Sequence, residues 1–218
     1  MFRDLPLTFN HRGASNTLME TLITPSALAL ILAAYLLGSV STAILVARAF
    51  GGPDPRRVGS GNPGATNMLR VGGRKAGALT LAGDLLKGTL AVATARLLDQ
   101  PPAVLAAAGF AAFLGHLYPV WFGFRGGKGV ATALGTLLGL APLVGLATAG
   151  TWLVTALLTR ISSLSALVAA ALAPLWMAWL APQPAFIGTT LAMSLLLYWR
   201  HRGNIRNLLQ GREGKIRL

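Results

Sequence analysis

The chain has 218 residues, 54% of them hydrophobic and only 11% charged, and its 19 Lys and Arg outweigh 6 Asp and Glu to give a net charge of +13. A mean hydropathy of +0.60, with apolar residues gathered in blocks near the roughly 20 residues a bilayer-crossing helix needs, excludes an ordinary soluble domain. Cysteine is absent, which excludes disulfides, thiolate metal sites and a cysteine acyl intermediate.

Residues 1–22 read as a polar extension carrying Arg3, Asp4, His11 and Arg12. The apolar block after it, from about 24 to 49, has no small-residue cleavage site at its end and reads as a retained first helix. Further apolar blocks follow at about 77–98, 103–121, 129–158, 163–181 and 184–200. Short breakers separate the later ones: Asp99-Gln100-Pro101-Pro102, Arg160-Ile161-Ser162 and Ala181-Pro182-Gln183-Pro184. The block at 129–158 is either one long tilted helix or two short ones broken near Ala141-Pro142. Residues 23–218 are expected to form a single transmembrane domain.

Charge favours the split. Segment 48–75 holds six Lys or Arg, 122–129 holds two and the tail from Arg200 holds six, while the breakers at 99–102 and 181–184 hold none. The positive-inside rule puts the three basic segments in the cytoplasm. One long helix gives six spans and strands the basic tail on the far side; two short helices give seven, with the N-terminus outside and the C-terminus cytoplasmic. The expected fold is therefore an all-α polytopic membrane bundle of about seven helices. Each half of the split block is short for a full span and needs packing inside the bundle. Arg96, near the outer end of the second helix, is expected to snorkel or to pair with Asp99. With basic residues flanking apolar blocks, anionic lipid and anionic substrate are better partners than nucleic acid.

Three segments carry the chemistry. In the first, Gly59-Ser60-Gly61-Asn62-Pro63-Gly64-Ala65-Thr66-Asn67 with Arg70, glycines permit turns that expose N–H groups to an anion, and Arg70 offers a fork for phosphate. The second, residues 115–132 from Gly115-His116-Leu117 to Phe124-Arg125-Gly126-Gly127-Lys128-Gly129-Val130-Ala131-Thr132, is not a Walker A motif. It shares that motif's parts: glycines leading into a helix start, and a lysine as point charge. The third, residues 199–213 from Trp199-Arg200 through His201-Arg202-Gly203-Asn204-Ile205 to Glu213, sets His201 and Asn204 three apart on one helical face. Taken singly, these segments also fit an interhelical loop, an interfacial turn and a basic stop-transfer tail. Asp84 and Lys87 lie inside the second apolar block, where a structural ion pair and a functional role are equally good readings. Ser163 is read either as a helix N-cap or as part of a site. His116, among aromatic neighbours, reads as a packed or interfacial histidine.

Together, in this order and spacing, with Asp84-Leu85-Leu86-Lys87-Gly88 between the first two, the segments resemble the bacterial acyl-phosphate-dependent glycerol-3-phosphate acyltransferases of the PlsY type over about residues 25–215. The resemblance implies a seven-helix inner-membrane enzyme, working at the cytoplasmic face and as a monomer. Such an enzyme moves an acyl chain from acyl phosphate to the 1-hydroxyl of glycerol 3-phosphate, without metal or other cofactor, giving lysophosphatidic acid and inorganic phosphate at the first step of phospholipid synthesis. Ser60, Arg70, Lys128, Ser163, His201 and Asn204 would line the site; Asn67, Gly126, Gly127, Gly129 and Thr132 would support phosphate binding. Ser162 and Ser165 stand close to the Ser163 position.

The residues suit this chemistry. Two phosphates must be held close together, and Arg70 and Lys128 with two glycine loops supply a double anion site. Acyl phosphate is already activated, so positioning the hydroxyl and stabilising the carbonyl oxygen is what remains. The base is either His201 or, as the resemblance implies, the substrate's own phosphate. The soluble-acyltransferase pattern of His, four residues, then Asp is absent, since the corresponding positions after His11, His116 and His201 are Asn16, Trp121 and Arg206. An organic-phosphate transporter and a lipid-binding scaffold remain the competing readings; transport sites, however, usually sit at the bilayer midplane.

Overall fold

The computed structural model describes residue 22 and residues 24–216, and among these every regular element is helical. The expected extension, residues 1–22, lies outside the described residues except for residue 22. The first apolar block forms two helices, α1 (Pro25–Gly38) and α2 (Thr42–Ala49), bent by 40° at the break. Next comes α3 (Ala65–Leu97), then α4 (Pro102–Leu117), which a single 3-10 turn at Val120–Phe122 prolongs. After the glycine-rich loop come α5 (Val130–Leu140), α6 (Pro142–Thr159), α7 (Ser162–Leu180), α8 (Pro184–Arg200) and the short α9 (Arg202–Leu209). Proline stands at the start of α1, α4, α6 and α8, where its missing N–H costs no helical hydrogen bond.

The block at 129–158 does break at Ala141, whose extended backbone (φ −150°, ψ 99°) ends α5 and hands over to Pro142. Among the described residues, four stretches are long and apolar enough to cross a membrane: Ala65–Leu97, Pro102–Phe122, Pro142–Thr159 and Ser162–Leu180. The bent pair α1–α2 adds a fifth. Helix α5, at 11 residues, is apolar but short. It is sheltered rather than exposed, packing against α3, α4, α6 and α8. Bare glycine surfaces allow that approach. A Cβ on Gly135 would sit 2.0 Å from the Leu85 carbonyl, and one on Gly88 would sit 2.3 Å from the Thr132 carbonyl. The buried core runs through Val92, Val104, Phe113, Leu117, Leu137, Val144, Met177 and Met193. Outward faces of α6, α7 and α8 expose Leu143, Leu158, Leu175, Trp179 and Leu195, as a lipid-facing surface requires.

Two expectations change. The second apolar block starts as a helix at Ala65, not near 77. Its first turns are polar, and the helix is interrupted at Gly73 (φ 81°, ψ −177°), a backbone region that glycine alone enters freely. Half of the first motif is therefore helical. Arg96 does not pair with Asp99: its exposed guanidinium donates to the carbonyls of Gly139 and Leu140, both at 3.0 Å. It caps the C-terminus of α5, satisfying two of the carbonyls left without helical partners there.

Candidate active site

The first motif is wound around one buried side chain. The Asn67 amide donates to the carbonyls of Pro55 (3.0 Å) and Val58 (3.1 Å), and its Oδ1 accepts the Ser60 N–H at 2.9 Å. A Cβ on Gly59, which sits at φ +61°, would come within 2.2 Å of that Oδ1, so the turn needs glycine there. This wrapping sets Ser60 on the loop and Arg70 one helical turn past Asn67. Arg56, paired with Asp54 at 2.7 Å, donates to the Phe122 carbonyl at 2.8 Å and ties this loop to the next.

The second motif is braced on both edges. Gly126 and Gly127 donate their N–H groups to the carbonyls of Leu117 and His116, both at 3.2 Å, and both their carbonyls accept from Arg200 at 2.9 Å. The chain then turns at Gly129 (φ +89°) into α5. Gly129, Val130 and Ala131 face a cavity, where the first-turn N–H groups lack helical partners and the helix dipole favours an anion.

The tail returns to the same place. Lys128 Nζ donates to Asn204 Oδ1 at 2.5 Å; Asn204 Nδ2 and Ser163 Oγ both donate to Glu213 Oε1 at 2.6 Å. The Ile216 N–H closes on the Arg160 carbonyl at 2.7 Å, holding the tail against the α6–α7 turn. Thr66 and Ser162 share a hydrogen bond at 3.0 Å. Burial pushes the Lys128 ammonium below its usual pKa, with the cations Arg200 and Arg70 acting the same way and Glu213 opposing. His201 Nδ1 lies 2.8 Å from the Leu197 carbonyl, which can only accept, so Nδ1 carries the ring proton. Burial lowers the His201 pKa to about 4, the Leu197 hydrogen bond resisting and Lys128 assisting.

These segments enclose a cavity of about 270 Å³ where the starts of α3, α5 and α7 meet the end of α8. Ser60, Asn67, Arg70, Lys128, Gly129, Ser163, His201 and Asn204 line it. Of the other expected site residues, Gly126 and Gly127 stand behind the wall with their N–H groups already used, and Thr132 is fully buried outside it. Asn67 spends its amide on the loop. Ser163 is no N-cap, since α7 starts at Ser162 after Ile161 without a side-chain cap; Ser165 bonds back to the Ile161 carbonyl at 2.9 Å.

Asp84 and His116 form the cavity's deep side. Asp84 Oδ1 lies 2.9 Å from Lys87 Nζ and 3.5 Å from His116 Nδ1; Lys87 Nζ also reaches His116 Nδ1 and the Val40 carbonyl, both at 2.9 Å. The two residues thus form a buried ion pair, and its Asp84 end lines the cavity. Glu213 went unnoticed as a site residue. Its signal is that it is the one acidic residue in the tail from Arg200. A narrower, mostly apolar cavity of about 50 Å³ adjoins, sharing Val130, Leu134, Ala149, Trp152 and Ala166 with the first and running on between α5, α6, α7 and α8.

Residues 28–211 match the family model described as Glycerol-3-phosphate acyltransferase. The chain belongs to that family. A glycerol-3-phosphate acyltransferase of Thioalkalivibrio sulfidiphilus is 58% identical over 188 residues, covering 86% of this chain and 93% of the relative. Another from Hydrogenovibrio crunogenus is 54% identical over 191 residues, covering 87% and 91%. Among solved structures, the family's PlsY (YgiH), an integral membrane glycerol 3-phosphate acyltransferase, superposes in its glycerol 3-phosphate form with a TM-score of 0.84 at 41% identity, covering 88% of this chain and 96% of that one. Its lysophosphatidic acid form gives 0.82 at 40% identity, with the same coverage. The family's membrane acyltransferase fold is therefore the fold of this chain.

Proposed function

We propose that this enzyme transfers an acyl chain from acyl phosphate to the 1-hydroxyl of glycerol 3-phosphate, with Ser60, Arg70, Lys128, Ser163, His201 and Asn204 acting at the cavity. The observation that carries this reading is the convergence of three distant motifs on one cavity, lined by Arg70 and Lys128, that continues into an apolar one. Arg70, Lys128 and the open start of α5 suit two phosphate groups; the adjoining groove suits an acyl chain. The two ligand states solved for PlsY, glycerol 3-phosphate and lysophosphatidic acid, are an acceptor and a product of this reaction.

In the step itself, the glycerol hydroxyl oxygen attacks the acyl carbonyl carbon. The bond from that carbon to the phosphate oxygen breaks, and the departing phosphate takes the hydroxyl proton. Inorganic phosphate and lysophosphatidic acid result. Lys128 offers a cation to developing charge. His201, with Nδ1 protonated toward Leu197 and a pKa of about 4, is a weak base, which supports the substrate-assisted route.

The topology belongs to the same proposal. Residues 23–218 form one domain of seven spans, α1–α2 together, then α3 to α8 in turn, with the N-terminus outside and the cavity at the cytoplasmic face of the inner membrane. The protein acts as a monomer. The three basic segments all lie at the end of the bundle where the cavity opens, in accord with the positive-inside rule.

Phosphate release from palmitoyl phosphate by purified protein tests the reaction. It should depend on glycerol 3-phosphate, and Lys128→Ala should cut its rate by roughly 100- to 1,000-fold. Absence of release by folded wild-type protein defeats the reading.

A further inference from the structure

The loop that carries Lys128 has an unusual support. Gly126 and Gly127 have no side chains with which to hold their own conformation, and glycine is the costliest residue to order. Yet both peptide units are fully hydrogen-bonded. Their N–H groups go to Leu117 and His116 of the α4 end, and their carbonyls both go to one nitrogen of Arg200 at 2.9 Å. Behind Gly127, a Cβ would lie 2.2 Å from His116 Nε2, so the loop cannot retreat on that side. The Arg200 guanidinium is itself stacked near Tyr118, 5.7 Å from the ring centroid. It is half-buried and absent from the cavity wall, whereas its chain neighbour His201 and the loop's next residue, Lys128, both line that wall.

We infer that Arg200 is a positioning residue for the reaction, clamping the Gly126 and Gly127 carbonyls so that Lys128 is aimed into the cavity. Through it, the third motif holds the second. The planar guanidinium fixes the directions of the two N–H bonds that this one nitrogen donates to the carbonyls, which a lysine ammonium on a flexible stem does not do. Displacement of a catalytic group by about 1 Å costs about 100-fold in rate without any lost contact to substrate. The inference rests on the proposed acyl transfer.

The test is a double-mutant cycle on purified protein. Arg200→Gln should keep the melting temperature within a few degrees, lose roughly 100-fold in kcat, and leave both KM values within about threefold. Combined with Lys128→Gln, it should cost almost nothing beyond Lys128→Gln alone, because its effect passes through Lys128. Product would be followed at high enzyme concentration to reach the low rates. Multiplicative losses, or wild-type kcat in folded Arg200→Gln, would overturn the inference. Should Arg200→Gln not fold, Arg200→Lys, which keeps the charge but not the planar guanidinium, carries the same comparison, and wild-type kcat there also overturns it. Wild-type turnover is the internal control: its absence defeats the proposed reaction, whereas its presence with an unaffected Arg200 variant defeats only this inference.

Discussion

At the scale of single residues, the cavity shows how one polar side chain organises several others. Glu213 accepts from Ser163 and Asn204, and Asn204 accepts from Lys128. Three expected site residues are thereby ordered by a carboxylate that was not itself expected at the site. The charge state of His201 gives a pH prediction. Its folded pKa of about 4 lies below the ordinary imidazole value of 6.5, so between these pH values the unfolded chain binds more protons than the folded one. Stability therefore rises with pH through this window, and is lost as pH falls from about 6.5 to about 4. Thermal unfolding across that range should show the loss, and His201→Gln should flatten it. Kinetically, His201→Ala should raise KM for glycerol 3-phosphate with kcat little changed; a fall in kcat with a shifted pH profile would instead make it the base. The identity of these residues was legible because residue type and spacing survive in the motifs. Partner assignments were not legible. That Asn67 serves the loop, and that Gly126 and Gly127 have no free N–H, depends on the accepting carbonyls of Pro55, Leu117 and His116, which no residue spacing pairs with these donors.

At the scale of elements, the short helix α5 is the member on which the site depends. Its start faces the cavity, and its far end is capped by Arg96. The break before Pro142 was readable from charge parity and proline. The role of Arg96 was not, because charge counting treats every cation near a helix end as a marker of membrane side. Likewise the start of α3 at Ala65 was hidden, since hydropathy registers apolar length, and the first turns of this helix are polar. Close packing of α5 on α3 yields a steric prediction. Gly135→Leu would force side-chain atoms onto the Leu85 carbonyl, now 2.0 Å from where its Cβ would be. It should cost about 3 kcal/mol or more, read as a lower melting temperature and poor recovery from the membrane. Gly188, with nothing within 4 Å of a Cβ, is the control position.

At the scale of the whole molecule, the bundle places a polar chamber and an apolar groove end to end, with Ala166 in the wall of both. Ala166→Phe should obstruct their junction. Use of palmitoyl phosphate should fall by roughly tenfold or more in kcat/KM while butyryl phosphate is affected much less, since the lost volume counts only for donors that reach past it. Bundle architecture was visible in the sequence from block length and breakers, but the groove was not. It is built from small residues on four helices, among them Ala133, Ala169, Ala170 and Ala173, whose alanines look like any others until α5, α6, α7 and α8 are assembled. This junction of chamber and groove also bears on how turnover ends. On the proposed reaction, a hydrophilic ion and an amphiphile are made at the same point, and each finds its own exit: the ion drains to water past the loops, while the amphiphile slides sideways into the bilayer along the groove. Partition between two solvents, rather than a moving gate, would then clear the chamber for the next pair of reactants.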